Sequence, residues 1–308
     1  MGVRVTGWGI ALPEKIVTNA DFASRLDTTD EWIIERTGIR ERRFGGTSGS
    51  LAVDAGQQAL DVAGVDAASV DVVILATTTP DKLMPATAAY VQDALGCGGG
   101  AMDLNAACSG FVYALVTGAG LCEIGANRVL VVGADVMSRI VDQDDRGTAV
   151  LFGDGAGAIV IDRTDEPGVL LGWDLGGDGS LRHLLTCEFG GYTQMAGKEV
   201  FRQAVRVMVD SCNAALSKAG VAPDEITLLV PHQANTRIVS AACDRLGIPM
   251  ERTALVLERT GNTSAASIPL ALVDAVDNGR LADGDLVLLS GFGAGMTWAS
   301  AVLQWRDP

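Results

Sequence analysis

Two kinds of apolar spacing alternate along the chain. Short uncharged runs such as Val72-Val73-Ile74-Leu75-Ala76, Val129-Leu130-Val131-Val132-Gly133, Leu228-Leu229-Val230-Pro231-His232 and Leu286-Val287-Leu288-Leu289-Ser290 predict buried strands. Between them run helical patterns. The clearest covers residues 200–219, where Phe201, Val205, Met208, Cys212 and Leu216 recur on one face. Gly220 suits the position just past its end, and Pro223 blocks continuation. Strands alternating with helices predict an α/β fold with mainly parallel sheets.

The pattern is written twice. Residues 72–76 precede a helix ending Asp93-Ala94-Leu95-Gly96, and residues 228–232 precede one ending Asp244-Arg245-Leu246-Gly247. A strand is expected next at 101–104 in one half and 254–257 in the other. Each is followed by a small-residue turn and a helix. Cys108 opens the first helix, and Asn262 lies in the turn opening the second. Asp71 to Cys108 is 37 positions and Thr227 to Asn262 is 35. Cys108 and Asn262 are therefore expected to be equivalent and to face each other near a pseudo-two-fold axis, with His232 at a strand end beside them. The polar, turn-rich residues 162–168 are the nearest thing to a boundary, giving halves 1–163 and 164–308.

Composition narrows the classes. The chain has 308 residues, 48% of them hydrophobic, which is ample for a buried core. No apolar run is long enough for a membrane span. The start shows no signal-peptide pattern; Gly2 fits a short myristoylation pattern, but residues 3–11 read as a core strand. Six cysteines without a CxxC pair argue against disulfides and zinc and fit a reducing cytoplasm. A net charge of −15 opposes binding to nucleic acid and to anionic membranes.

Three residues carry candidate chemistry, each with a plainer structural alternative. Cys108, in Asn105-Ala106-Ala107-Cys108-Ser109-Gly110, would meet the positive end of a helix dipole, which favours a nucleophilic thiolate; otherwise it is a small buried filler. His232 sits where a strand ends and a helix begins, a place that keeps imidazole neutral, as a donor or base requires; otherwise it is structural. Asn262 could stabilise a developing oxyanion or simply make a turn. Gly153-Asp154-Gly155-Ala156-Gly157 and Gly291-Phe292-Gly293-Ala294-Gly295 lack the dinucleotide-binding spacing and read as tight turns or bulges.

At these residues the chain resembles the 3-oxoacyl-acyl-carrier-protein synthase III family of the thiolase-like superfamily. The likeness runs nearly end to end. It includes Asp30-Glu31-Trp32-Ile33 with Arg36-Thr37-Gly38-Ile39, Asp145-Arg146-Gly147-Thr148, Pro231-His232-Gln233-Ala234-Asn235 and Gly261-Asn262-Thr263-Ser264. The resemblance implies a duplicated five-layer α-β-α-β-α thiolase-like body, a homodimer, and an acyltransferase without metal or cofactor. An acyl-CoA primer would acylate Cys108, and malonyl-acyl carrier protein would then condense with it by decarboxylation. Backbone N–H groups of Cys108 and Ala294 would form the oxyanion hole, with His232 and Asn262 holding the malonyl thioester oxygen. Thr28, Trp32, Arg36, Arg146, Met195, Gly197, Phe201, Ala234, Asn235 and Ile238 would line the CoA and pantetheine channel. Lys198, Arg202, Arg206, Arg237 and Arg245 would dock the acidic carrier protein.

Two departures bear on the primer. The segment between Leu184 and Met195 is shorter than in the relatives it resembles, and Lys198 stands where asparagine is expected. Met84 matches a position that reaches the partner's acyl pocket and is often phenylalanine; a flexible methionine there suits a longer or branched primer. The alternatives are a specialised-metabolism condensing enzyme with another acyl donor or acceptor, and a non-catalytic scaffold subunit.

Overall fold

The computed structural model describes residues 2–165 and 168–306. The boundary expected at 162–168 includes Glu166 and Pro167, and the lipidation pattern includes Met1; these three lie outside the described residues. Two sheets form the frame. The first runs, in spatial order, Gly2–Ala11, Asp154–Thr164, Arg128–Val136, Val72–Ala76 and Gly100–Leu104. The second runs Leu170–Gly177, Thr297–Gln304, Leu286–Gly293 and Leu228–Pro231.

Alternation within the strands builds five layers. Ile74, Val129 and Val131 face inward with Val230, Val287 and Leu289 of the other sheet, onto the helices Gly110–Glu123 and Ser267–Asp277. These two helices form the central layer, and the first is apolar nearly all round because sheet lies on both sides of it. The outward residues Val73, Leu75 and Leu130 pack under the helices Ser48–Ala63 and Thr87–Leu95. On the other side Leu229, Leu288 and Val302 pack under Gly197–Ala219 and Thr236–Leu246. The helix expected at 200–219 thus starts at Gly197, and Gly220 ends it at φ +68°. No described helix is long and apolar enough to cross a membrane.

Three expectations need correction. The sheets are mixed: Arg128–Val136 with Asp154–Thr164, and Leu286–Gly293 with Thr297–Gln304, run antiparallel. In the second case a turn of three residues joins the strands, and so short a link permits only an antiparallel return. The expected strand 254–257 is absent; only an isolated bridge, Leu229 to Thr253, remains, and Leu257 opens the short helix Leu257–Thr260. The Gln233 side chain is the cause, because its Oε1 accepts the N–H groups of Val256 and Leu257 that a strand would need. Finally, Gly155, Gly157, Gly291 and Gly293 lie inside strands rather than turns. Close approach explains the last of them: a Cβ on Gly293 would sit 2.6 Å from the Cys108 backbone nitrogen.

Candidate active site

Cys108 is placed by a sharp turn between Gly100–Leu104 and the central helix Gly110–Glu123. Asn105 Oδ1 accepts the Ala107 N–H at 3.1 Å, and Ala107 takes φ +48°. A left-handed alanine costs about 1–3 kcal/mol, and the resulting reversal puts Cys108 in the 3-10 turn Ala107–Ser109 at the helix head. The other half repeats this device. Asn262 Oδ1 accepts the Ser264 N–H at 2.9 Å, and Ser264 takes φ +52° ahead of Ser267–Asp277.

The expected equivalence of Cys108 and Asn262 is therefore corrected. Asn105 matches Asn262, and Cys108 matches Ala265. Counting positions between strand and helix could not resolve the few residues within one turn. Strand register extends the match, pairing Asp135 with Gly293 near the ends of Arg128–Val136 and Leu286–Gly293. Asp135 is fully buried, and its Oδ2 accepts the Ala265 N–H at 3.1 Å. Its Oδ1 accepts from Thr77, Thr78 and Thr79. Gly293 has no side chain to do the same at Cys108, whose N–H is left facing the site.

His232 comes from the end of Leu228–Pro231. Its backbone N–H donates to Ser290 O at 2.7 Å, and its ring packs edge-on to Phe292 at 5.3 Å. Ser267 Oγ lies 2.7 Å from His232 Nδ1. Burial pushes the imidazole pKa down to about 3, so the ring is neutral. Neutrality was expected, but its cause is desolvation rather than a helix terminus. Beside it, Gln233 Nε2 donates to the carbonyls of Pro231 and Ala254.

Asn262 is clasped by a segment from the other half. Its N–H donates to Leu151 O at 2.9 Å, and its own carbonyl accepts the Gly153 N–H at 3.0 Å. The approach is so close that a Cβ on Gly153 would meet Thr260 O at 2.2 Å. Because Oδ1 is taken by Ser264, the amide Nδ2 is the end of Asn262 left for the cavity it lines.

Cys108, His232 and Asn262 line one cavity of about 100 Å³. Met195, Gly197, Phe201, Ala234, Asn235 and Ile238 line it too, as the sequence implied, and so do Phe152, Val200, Phe292 and Met296, which it did not. Those four are ordinary apolar residues in sequence; only their place in the fold marks them. A wider groove of about 620 Å³ is bounded by Lys15, Asp21, Arg25 and Phe44, but no cysteine or histidine lines it. Thr28, Trp32, Arg36 and Arg146 do not line the cavity. Trp32 carries the Arg146 guanidinium at 5.0 Å from its ring centroid and that of Arg36 at 5.7 Å. Asn235 Nδ2 donates to the Arg36 carbonyl at 2.8 Å, joining this cluster to the cavity's lip. Lys198, Arg202, Arg206, Arg237 and Arg245 are all exposed, and Arg237 lies 5.8 Å over the ring of Phe201. Ala294 sits in the turn after Gly293, its carbonyl accepting the Thr297 hydroxyl at 3.1 Å.

The thiol corrects a further expectation. Burial pushes Cys108 up to about 12, against a weaker opposing pull from Ser264 and a further push from the Asp135 charge. The helix head does not offset desolvation, so the resting residue is a thiol. Ser264 Oγ is buried without a hydrogen-bond partner; a thiolate at Cys108 is the acceptor it lacks.

Family models describing 3-oxoacyl-[acyl-carrier-protein (ACP)] synthase III match residues 102–179, and for its C-terminal part residues 216–305. A beta-ketoacyl-[acyl-carrier-protein] synthase III of Roseiflexus sp. (strain RS-1) is 49% identical over 321 residues, covering 98% of both chains. The crystal structure of 3-oxoacyl-[acyl-carrier-protein] synthase III from Aquifex aeolicus VF5 superposes with a TM-score of 0.97 at 44% identity, covering 99% of this chain and 100% of that one. The priming beta-ketosynthase from the R1128 polyketide biosynthetic pathway superposes at 0.95 with 38% identity, covering 99% and 97%.

Proposed function

The chain belongs to the 3-oxoacyl-[acyl-carrier-protein] synthase III family and performs the condensation that initiates fatty acid synthesis, joining an acyl-CoA primer to malonyl-acyl carrier protein; from that premise we propose how its own residues divide the work. Cys108 Sγ attacks the acyl-CoA carbonyl, and the N–H groups of Cys108 and Ala294 hold the oxyanion. CoA leaves with the thiol's proton. The malonyl thioester then loses CO2, and its enolate oxygen is held by His232 and the Asn262 amide. The carbanion attacks the acyl-Cys carbonyl, the C–S bond breaks to give the 3-oxoacyl product, and the Cys108 thiolate takes a proton from solvent. A neutral imidazole donor suits this step, since its strength is realised as charge develops on oxygen.

One observation carries the assignment: side chains from both halves converge on a single buried cavity. Intact-mass measurement after incubation with acyl-CoA tests it. Wild type should gain one acyl group, and Cys108→Ala should gain none. His232→Ala and Asn262→Ala should still acylate but lose malonyl decarboxylation by at least ~100-fold. No adduct with any primer would favour a scaffold role instead.

The surroundings extend the proposal. Trp32, Arg36 and Arg146 receive the adenine and phosphates of CoA, Arg146 swinging off the indole to let the base stack. Thr28, beside them, has a buried hydroxyl without a partner. The five exposed cations dock the carrier protein, a role favoured by Arg237's place over the cavity-lining Phe201 and by their clustering on two helices of an otherwise acidic chain. The halves 1–163 and 164–308 are the two copies of one unit, as their matching strand orders support. A homodimer is supported by the free edge of Gly100–Leu104, flanked by exposed Leu83, Met84, Tyr90 and Met102. Met84 then reaches the partner's acyl pocket and admits longer or branched primers. A polyketide-priming role is the second reading, favoured by the likeness to the R1128 enzyme; a primer panel separates the two.

A further inference from the structure

The Ser267 hydroxyl sits on the far side of His232 from the cavity, and it is not needed to build the turn. Its counterpart in the other half shows why. Ser267 opens the helix Ser267–Asp277 as Gly110 opens Gly110–Glu123. His232 follows the strand position Pro231, paired with Ser290, so it lies opposite Gly291, whose mate Gly133 lies opposite Ala76. The His232–Ser267 pair thus corresponds to Ala76–Gly110, where a Cβ on the glycine would stand 3.2 Å from the alanine Cβ. The same fold is made there with no polar group. Only the half that holds the imidazole carries the serine.

Proton counting fixes what the serine does. Ser267 Oγ already receives the Gln233 backbone N–H at 3.3 Å, and its remaining close neighbour is His232 Nδ1 at 2.7 Å. Among the described residues its own proton has no other acceptor. Were Nδ1 the protonated nitrogen, Oγ would receive two donors and its buried proton would have none to serve, at the cost of an unmade hydrogen bond. With Nδ1 bare, the Ser267 hydroxyl and Nδ1 are both satisfied, and on a neutral ring Nε2 must carry the hydrogen.

We infer that Ser267 is a positioning residue that donates to His232 Nδ1, locks the Nε2–H tautomer, and so makes His232 a hydrogen-bond donor rather than a base in the resting enzyme. The inference deepens the role proposed for His232 above and rests on it. It also means that the Cys108 proton leaves with CoA and is not handed first to His232 Nε2, which has no lone pair free.

The test uses the low histidine content. The protein has two histidines, and His183 is exposed, so 15N-histidine labelling of the whole protein gives two resolvable imidazoles. His232 should show a single Nε2–H tautomer unchanged from pH 6 to 8. In Ser267→Ala the His232 signals should move toward the Nδ1–H form, and malonyl decarboxylation should fall at least tenfold, more steeply than acylation. Ser267→Thr, which restores a hydroxyl, should recover both the nitrogen shifts and the rate. An unaltered tautomer in Ser267→Ala overturns the inference and leaves the role of His232 standing, whereas an Nδ1–H tautomer in wild type overturns both. Undiminished decarboxylation in His232→Ala instead sinks that role.

Discussion

At the scale of single residues, the site is defined by two groups held neutral by burial. His232, pushed down to about 3, binds no proton in the folded state where the unfolded chain would bind one. Its stabilising contribution is therefore complete above the unfolded pKa of about 6.5 and is lost as pH falls toward 3. We expect the difference in unfolding free energy between wild type and His232→Gln, from urea titrations, to shrink progressively below pH 6.5. A constant difference would show the ring charged or exposed. Cys108 runs the other way. With its thiol raised to about 12, alkylation by iodoacetamide should keep climbing through pH 10. A plateau near pH 7 would mean a resident thiolate, as the position in the sequence alone suggested. Position at a helix head is legible in sequence; the dehydration that outweighs it depends on residues far along the chain.

At the scale of elements, close packing between a strand and a helix head is what exposes the right donor. Gly293→Ala would push a methyl to 2.6 Å from the Cys108 nitrogen and close to Ala107. We expect it to cut the acylation rate by at least ~100-fold and to cost about 1–3 kcal/mol of stability, read by stopped-flow acylation and urea unfolding. A variant that acylates normally would show that the Cys108 N–H is not used. Gln233 is the corresponding prediction for folding. Its amide satisfies four backbone groups of the 231–257 region, so Gln233→Leu should lower stability by several kcal/mol, at about 1–3 kcal/mol per orphaned group. A smaller urea-midpoint shift than that of a conservative core substitution would refute it. The strands and long helices were readable because their spacing is repeated and apolar. The strand expected at 254–257 failed because Gln233, a polar residue outside that segment, takes its N–H groups. Glycines read as turns proved to be strand positions crowded by a neighbour, a property of the neighbour and not of the local sequence.

At the scale of the molecule, charge and edges decide what the protein meets. Reversing Arg202 and Arg237 to Glu should reduce kcat/KM for malonyl-carrier protein roughly tenfold or more, with a shallower salt dependence, while acylation by acyl-CoA changes little. Equal losses in both half-reactions would remove these cations from docking. Met102→Glu, on the open strand edge, should shift the sedimentation profile toward a single chain. The duplication itself was visible in sequence, and so was the convergence of Cys108, His232 and Asn262. The pairing of positions across the two halves was not, because it hangs on strand register and on the left-handed residues Ala107 and Ser264.

That pairing has a numerical consequence. A chain that copies a helix head also copies a place that attracts negative oxygen. Asp135 occupies the copy permanently with its own carboxylate at Ala265, and alanine there offers no sulfur. However much primer is present, the protein should load one acyl group per chain, and anionic inhibitors shaped for the Cys108 N–H should bind with that same stoichiometry. The idle half is a socket already plugged from within.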